Sequence, residues 1–177
     1  ALWDLWGQAT SQPLHQLLGG TVRDSIRIYN TCAGYHYVRS RPVHSTDDFG
    51  LDTAEGPYED LDAFLHRADE LAHSLLEMGI TGMKIWPFDF AAEASNGQYI
   101  SEADLTKALE PFDKIRAAVG DKMDVMAELH AYWNRPMAVK VARALEPYNP
   151  LWVEDPVFMD HLDSLAEVAR ATACPIG

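Results

Sequence analysis

A chain of 177 residues, 47% of them hydrophobic, carries enough apolar side chain for one buried core of ordinary domain size. Its formal charge of −13 and pI near 4.8 disfavour nucleic acid and anionic membrane as general partners, because both would be repelled by the surface. No apolar run approaches the ~20 residues of a membrane span and no signal segment opens the chain, so a soluble, cytoplasmic protein is expected.

The first stretch, ALWDLWGQATSQPLHQLLGG, sets Leu2, Leu5, Trp6 and Ala9 at helical spacing, and a second helical turn from Pro13 to Leu18 stops at Gly19-Gly20. SIRIYNTCAGY, rich in β-branched and aromatic residues, predicts a strand. Residues 36 to 59 lack a period and hold Pro42, Gly50, Gly56 and Pro57; such a long connection inside a compact domain is usually a lid, a binding loop or disordered. From Asp60 the pattern becomes regular. Leu61, Leu65, Ala68, Ala72, Leu75 and Leu76 form one apolar helical stripe ending at Gly79, and the strand ITGMKIW follows. After a second loop holding Asn96-Gly97, Ser101 and Asp104 open a helix in the manner of a capping box. Leu105, Leu109, Phe112, Ile115 and Val119 carry that helix to Gly120, and Pro111 is expected to kink or divide it.

The strand MDVMAELH comes next, then a helix with Met137, Val141, Leu145 and Tyr148 on one face. The strand LWVEDP, a helix from about His161 to Ala173 and the start of a strand at Cys174-Pro175-Ile176 complete the chain. This alternation implies parallel strands with helices packed outside. The two cysteines, Cys32 and Cys174, are too few for a disulfide framework and are expected to be reduced core thiols.

Two carboxylates end successive strands: Glu128 closes an apolar run, and Glu154 does the same 26 residues later, before the strand-stopping Pro156. In a parallel α/β sheet or barrel the carboxyl ends of the strands are where ligands gather, because each strand delivers a side chain to a shared mouth. The bland reading is that the two acids are unrelated and separately held by caps or arginines. His130 lies two residues past Glu128 and on a strand shares its side, as do Lys84 and Trp86. Five strands suit a doubly wound sheet; a complete (β/α)8 barrel needs eight.

The opening ALWDLWGQ with Pro13 and LLGG resembles the end of the amino-terminal capping domain of the enolase superfamily, in its mandelate racemase and muconate lactonizing enzyme branch. GMKIW, VMAELH and WVEDP resemble the ends of the second, third and fourth strands of that family's barrel. The resemblance implies an α/β fold forming about the first five strands of a modified (β/α)8 TIM barrel, preceded by the last helix of an α+β capping domain. Residues 1–20 then end the capping domain, and residues 21–177 form the first half of the barrel, cut short. Ala1 in place of an initiator methionine fits a chain that begins in mid-protein.

The same resemblance implies Mg2+ held by acids from strands three, four and five, with the metal holding a substrate carboxylate while a base removes the α-proton to give an enediolate. Glu128 matches the first metal ligand, where aspartate is common, and Glu154 the second; the third lies past the fifth strand, where this chain stops. His130 stands where acid-sugar dehydratases carry a histidine that protonates the departing β-hydroxyl, a task suited to imidazole. The alternative is a histidine satisfied by a neighbouring carboxylate. Of the family's K-x-K pair only Lys84 is present. It either meets the substrate or carries a proton, or else it is tied up in an ion pair with Asp155 or another strand-end acid. Trp86 is a wall of the substrate site or core filler, and Asn134 a substrate contact or the N-cap of the next helix.

The implied substrate is a small carboxylate, most simply a sugar acid undergoing dehydration, and the implied assembly is a homo-oligomer of the full-length parent. Racemisation or cycloisomerisation, and a non-catalytic barrel fragment needing a complementary chain, stand as alternatives. Taken alone, the chain is expected to be inactive, since a barrel cut after its fifth strand exposes two sheet edges and lacks one acid.

Overall fold

The structure is a computed structural model describing residues 1–34 and 59–177. Of the long connection expected at 36–59, all but Glu59 lies outside the described residues. In chain order come α1 (Leu2–Thr10), α2 (Leu14–Leu17), α3 (Asp60–His66), α4 (Ala68–Glu77), β1 (Gly82–Ile85), α5 (Asp89–Ser95), α6 (Glu102–Val119), β2 (Asp124–Glu128), α7 (Arg135–Leu145), β3 (Val153–Glu154) and α8 (Leu162–Ala171).

Apolar runs flanked by glycine or by turns form the strands. β1, Gly-Met-Lys-Ile, is buried along its whole length and pairs parallel with β2, with Gly82 opposite Asp124 and Ile85 opposite Ala127. β2 pairs parallel with β3, with Glu128 opposite Glu154. Two isolated parallel bridges continue the sheet outward, Asn30 to Met83 on one side and Val153 to Ile176 on the other. The result is five parallel segments adjacent in chain order, the architecture expected for the first part of a barrel. The helices cover the outer face: α4 lies against α6, and α7 against α8. Their buried sides supply a core that includes Leu71, Leu75, Phe112, Ile115, Val141 and Leu145.

Several elements differ from the sequence expectation, each for a local reason. SIRIYNTCAGY makes a single bridge rather than a strand. Asn30 donates to the Gly82 carbonyl at 3.0 Å and accepts from the Lys84 amide at 2.8 Å, while Ile26 and Ile28 stay exposed. Among the described residues no strand pairs on its other side, so the ladder has one rail there. The expected single helix from Asp60 breaks at Arg67, whose backbone leaves the helical region at φ −137° and ψ 45°. The freed His66 carbonyl accepts from Lys114 at 2.9 Å. Across this break the buried face is Phe64, Ala68, Leu71, Ala72 and Leu75, so Leu61 and Leu65 are only partly covered.

The stretch expected to be loop before Asn96-Gly97 contains α5, whose alanines favour helix and whose end is the left-handed Asn96 at φ 50°. Pro111 does not divide α6, which is continuous through it. Proline removes one backbone donor, and burial of Leu105, Ala108, Phe112, Ile115 and Val119 along one face holds the two sides together. The cap at Ser101 forms as expected: its oxygen accepts from the Asp104 amide at 3.0 Å, and its hydroxyl donates to the Asp104 carboxylate at 2.6 Å. Cys32 and Cys174 are both buried free thiols. No helix among the described residues is long and apolar enough to cross a membrane.

Candidate active site at the strand ends

Three charged side chains from three consecutive strands converge at the carboxyl ends of β1, β2 and β3. Glu128 and Glu154 are register partners on adjacent strands, so their side chains leave the sheet side by side. Lys84 is opposite Met126, two residues earlier than Glu128, and its long stem climbs that step to reach both acids. Its Nζ donates to Glu128 Oε2 at 2.8 Å and to Glu154 Oε1 at 2.6 Å. The three side chains are 11%, 6% and 26% exposed, which makes this a desolvated cluster rather than a surface ion pair.

The remaining carboxylate oxygens also have donors. Glu128 Oε1 accepts from the His130 amide at 2.9 Å, and Glu154 Oε2 accepts from the Trp152 indole at 2.8 Å. Burial by itself would lower the pKa of Lys84. Hydrogen bonds to Glu128 and Glu154, with their two negative charges, outweigh it and hold the ammonium above its ordinary value. Burial would raise Glu154, but the hydrogen bonds from Lys84 and Trp152 prevail and keep its carboxyl below the usual range.

β2 ends at Glu128, so simple strand alternation does not carry His130 to its place. His130 and Ala131 both adopt left-handed conformations, at φ 50° and 56°, a costly pair for residues other than glycine. The Ala131 amide donates to the Asp155 carbonyl at 2.8 Å and the Tyr132 amide to the Leu129 carbonyl at 3.2 Å, which hold the turn. The imidazole lands beside Asp89, with Nδ1 2.9 Å from Asp89 Oδ2, and meets Trp86 edge-on with ring centres 5.4 Å apart. Burial pulls the His130 pKa down and Lys84 opposes its charge. The Asp89 hydrogen bond and the Asp89 and Glu128 charges together push it above the usual histidine value.

Trp86 is buried, packs on Phe64 with ring centres 5.3 Å apart, and donates its indole to the Thr31 carbonyl at 3.4 Å. It is a wall between the core and His130. Asn134 forms the N-cap of α7, one of the two readings its place before Arg135-Pro136 offered. Its oxygen accepts from the Met137 amide at 3.0 Å, and its amide nitrogen donates to Gln98 at 3.1 Å, so both polar ends are spent on structure. The Asn134 amide also donates to the Gly97 carbonyl at 3.0 Å. Lys84 pairs with the acids of β2 and β3, not with Asp155.

Two residues of the site were missed in the sequence. Asp89 follows the GMKIW strand by three residues, and its place just past a strand end, after Pro87, is the signal it shares with Glu128 and Glu154. Trp152 precedes Glu154 by two, so on a strand it shares that face.

Among the described residues no set of three or more histidine, cysteine, aspartate or glutamate side chains could enclose a metal ion. Glu128 and Glu154 nonetheless suit a hard cation. They are adjacent, mostly buried oxygen donors that already share one positive charge, and oxygen is the donor magnesium takes. They make a partial donor set.

Acids and a histidine gathered at the carboxyl ends of consecutive parallel strands mark a parallel α/β protein of the kind whose ligands bind at that face. Residues 67–177 match the family of enolase C-terminal domain-like proteins, and the chain belongs to that family. It is 31% identical over 176 residues to a D-galactonate dehydratase of Ralstonia nicotianae and 27% identical to a D-gluconate dehydratase of Thermoproteus tenax. In each case 99% of this chain is covered, but only 37% and 29% of those proteins. A crystal structure of an enolase of the mandelate racemase subgroup from Agrobacterium tumefaciens is 50% identical, with a TM-score of 0.78, over 99% of this chain and 39% of that one. An enolase protein from Sargasso Sea environmental sequence is 41% identical with the same TM-score, over 40% of its length. The chain thus spans less than half the length of the relatives it matches.

Proposed function

We propose that these residues form the first half of the barrel of a magnesium-dependent enzyme that removes the α-proton of a carboxylate and dehydrates a sugar acid, with residues 1–20 ending its capping domain. The observation that carries this is the convergence of Glu128, Glu154 and His130 at one barrel mouth. In this reading Glu128 and Glu154 are two of the acids that hold the metal. Bound there, magnesium would supply fixed positive charge against the second negative charge that develops on a carboxylate substrate as its α-proton leaves.

The α-proton passes to a base from the part of the parent barrel that this chain does not include, and the chain's own residues divide the remaining work. Lys84 holds the two carboxylates in register and adds positive charge beside the substrate carboxylate. Its ammonium donates to both acids, at 2.8 and 2.6 Å, which supports an electrostatic part for Lys84 rather than that of a free base. His130 carries the proton that joins the departing β-hydroxyl as its C–O bond breaks, so that water leaves and the imidazole is left neutral. Trp86 screens that histidine from the core side.

The test uses the full-length gene product. Glu128→Gln and Glu154→Gln are each expected to weaken magnesium binding sharply in calorimetric titration, because each replaces an anionic oxygen by a neutral amide. His130→Asn is expected to leave that affinity nearly intact and to lower turnover on a sugar-acid panel by about 10²- to 10⁴-fold. Wild-type affinity in both glutamine variants would overturn the ligand assignment.

A further inference from the structure

We infer that Asp89 is a positioning residue for His130: it fixes the imidazole tautomer with hydrogen on Nδ1 and so assigns proton exchange to Nε2. The inference rests on the reading of His130 as the proton carrier. It adds which nitrogen acts and which residue makes it so.

The geometry is specific. Asp89 Oδ2 lies 2.9 Å from Nδ1. A carboxylate only accepts, so the ring nitrogen facing it must carry hydrogen. This holds for neutral imidazole and for imidazolium alike, and Nε2 is then the nitrogen whose proton comes and goes. Free histidine has no such constraint, and in the neutral ring the proton is placed by whatever the other nitrogen meets.

As an acid in the first turn of α5, Asp89 suits the helix dipole, but that does not account for its hydrogen bond to the imidazole. It is the first residue of α5, but Phe88 occupies the N-cap and no side-chain cap bond is made. The residue is 9% exposed, and its Oδ1 is buried with no hydrogen-bond partner among the described residues. A buried carboxylate with one oxygen unmatched is destabilising on its own account. Its partner is the histidine, 41 residues away in sequence and on the next strand's turn. That turn is itself strained, with His130 and Ala131 both left-handed. Two unfavourable local arrangements meet at one hydrogen bond, the pattern expected where orientation of a side chain matters more than stability.

The experiment is nitrogen NMR of the full-length gene product labelled with 15N-histidine, at alkaline pH where the ring is neutral. His130 is identified by the signal lost in His130→Asn. The wild type is expected to show a protonated Nδ1 and an unprotonated Nε2. Asp89→Asn, whose amide can present either a donor or an acceptor, is expected to lose that preference and give the other tautomer or a mixture. Turnover is expected to fall at least tenfold in Asp89→Asn with KM nearly unchanged. A helix-stabilising role for Asp89 would shift the melting temperature and leave the tautomer alone.

A wild-type ring protonated on Nε2 would overturn the inference without needing any variant to fold, and an unchanged tautomer in Asp89→Asn would do the same. Failure of the underlying reading looks different: normal turnover in His130→Asn, with the Asp89-dependent tautomer intact, removes the proton carrier and leaves the pairing.

Discussion

Replacing Lys84 with methionine keeps the stem and removes the charge, leaving two buried carboxylates side by side with no cation between them. The ammonium now sits 2.8 Å from Glu128 and 2.6 Å from Glu154. Two like charges at roughly 5 Å and an effective dielectric of about 20 repel by about 3 kcal/mol. Breaking a buried ion pair by removing one partner costs about 3–5 kcal/mol, and the 26% exposure of Glu154 places this case near the lower figure. A loss of about 3 kcal/mol at pH 7 is therefore expected.

The pH dependence of that loss follows from the same picture. In the variant the carboxylate pair is relieved by taking up a proton, so one folded-state pKa rises above its unfolded value. The penalty is then absent at low pH and grows as pH rises through that folded pKa. Urea unfolding of wild type and Lys84→Met, followed by far-ultraviolet circular dichroism at pH 7 and pH 4.5, measures both effects. If the wild type is less stable than the penalty, the variant is already unfolded at pH 7 without urea and gains structure on acidification. A variant within about 0.5 kcal/mol of wild type at pH 7, or one that loses more stability in acid, would show that Lys84 is not the counter-ion of this cluster.

Gly97→Ala is expected to lower the melting temperature by several degrees, because Gly97 has φ +69° and an added Cβ would collide with the Tyr132 carbonyl; an unshifted melt would mean that the two loops can part freely. The Tyr148 phenol is half-buried and donates to Asp113 at 2.8 Å, and burial, then that bond and charge, push its pKa up to about 12. Its folded pKa exceeds the unfolded value of about 10, so its contribution is whole below pH 10 and fades as pH rises through 12. Wild type should accordingly lose more stability in that window than Tyr148→Phe does, as read by urea midpoints. Glu146 accepts from the Ala173 amide and the Thr172 hydroxyl, both at 2.9 Å, which lowers its pKa below the ordinary 4.5. Its contribution is present above that value and lost as pH falls through the lowered one, so Glu146→Gln should flatten the acid side of the stability profile.

The parallel order was legible because each strand is a short apolar run between glycine or turn residues, and each long helix carries a stripe with a readable period. The strand-end acids were legible for the same reason, since Glu128 and Glu154 terminate those runs. Tertiary effects decided what was not. The left-handed turn at His130-Ala131 has no glycine to announce it and depends on the Asp155 carbonyl from the next strand. The break at Arg67 carries no proline or glycine; the Lys114 ammonium, from a helix 48 residues on, meets the carbonyl it frees. Asp89 could be ranked only once folding brought it to an imidazole. The strand at Asn30 failed because β-branched residues describe a tendency, and of that run only Asn30 bridges to β1 among the described residues.

The contact between Gly97 and Asn134 has a bearing on how this site can be altered. Asp89 stands on the segment that follows β1, and His130 on the one that follows β2. Beyond them the two segments are fastened, by the Asn134 amide on the Gly97 carbonyl and by the Asn134 side chain on Gln98. A loop exchanged alone from a relative would arrive without its fastening and would carry Asp89 or His130 out of line with its mate. Residues 86–98 and 129–134 should therefore be transplanted together, into a barrel whose next strand keeps the backbone carbonyl that Asp155 offers to the His130 turn.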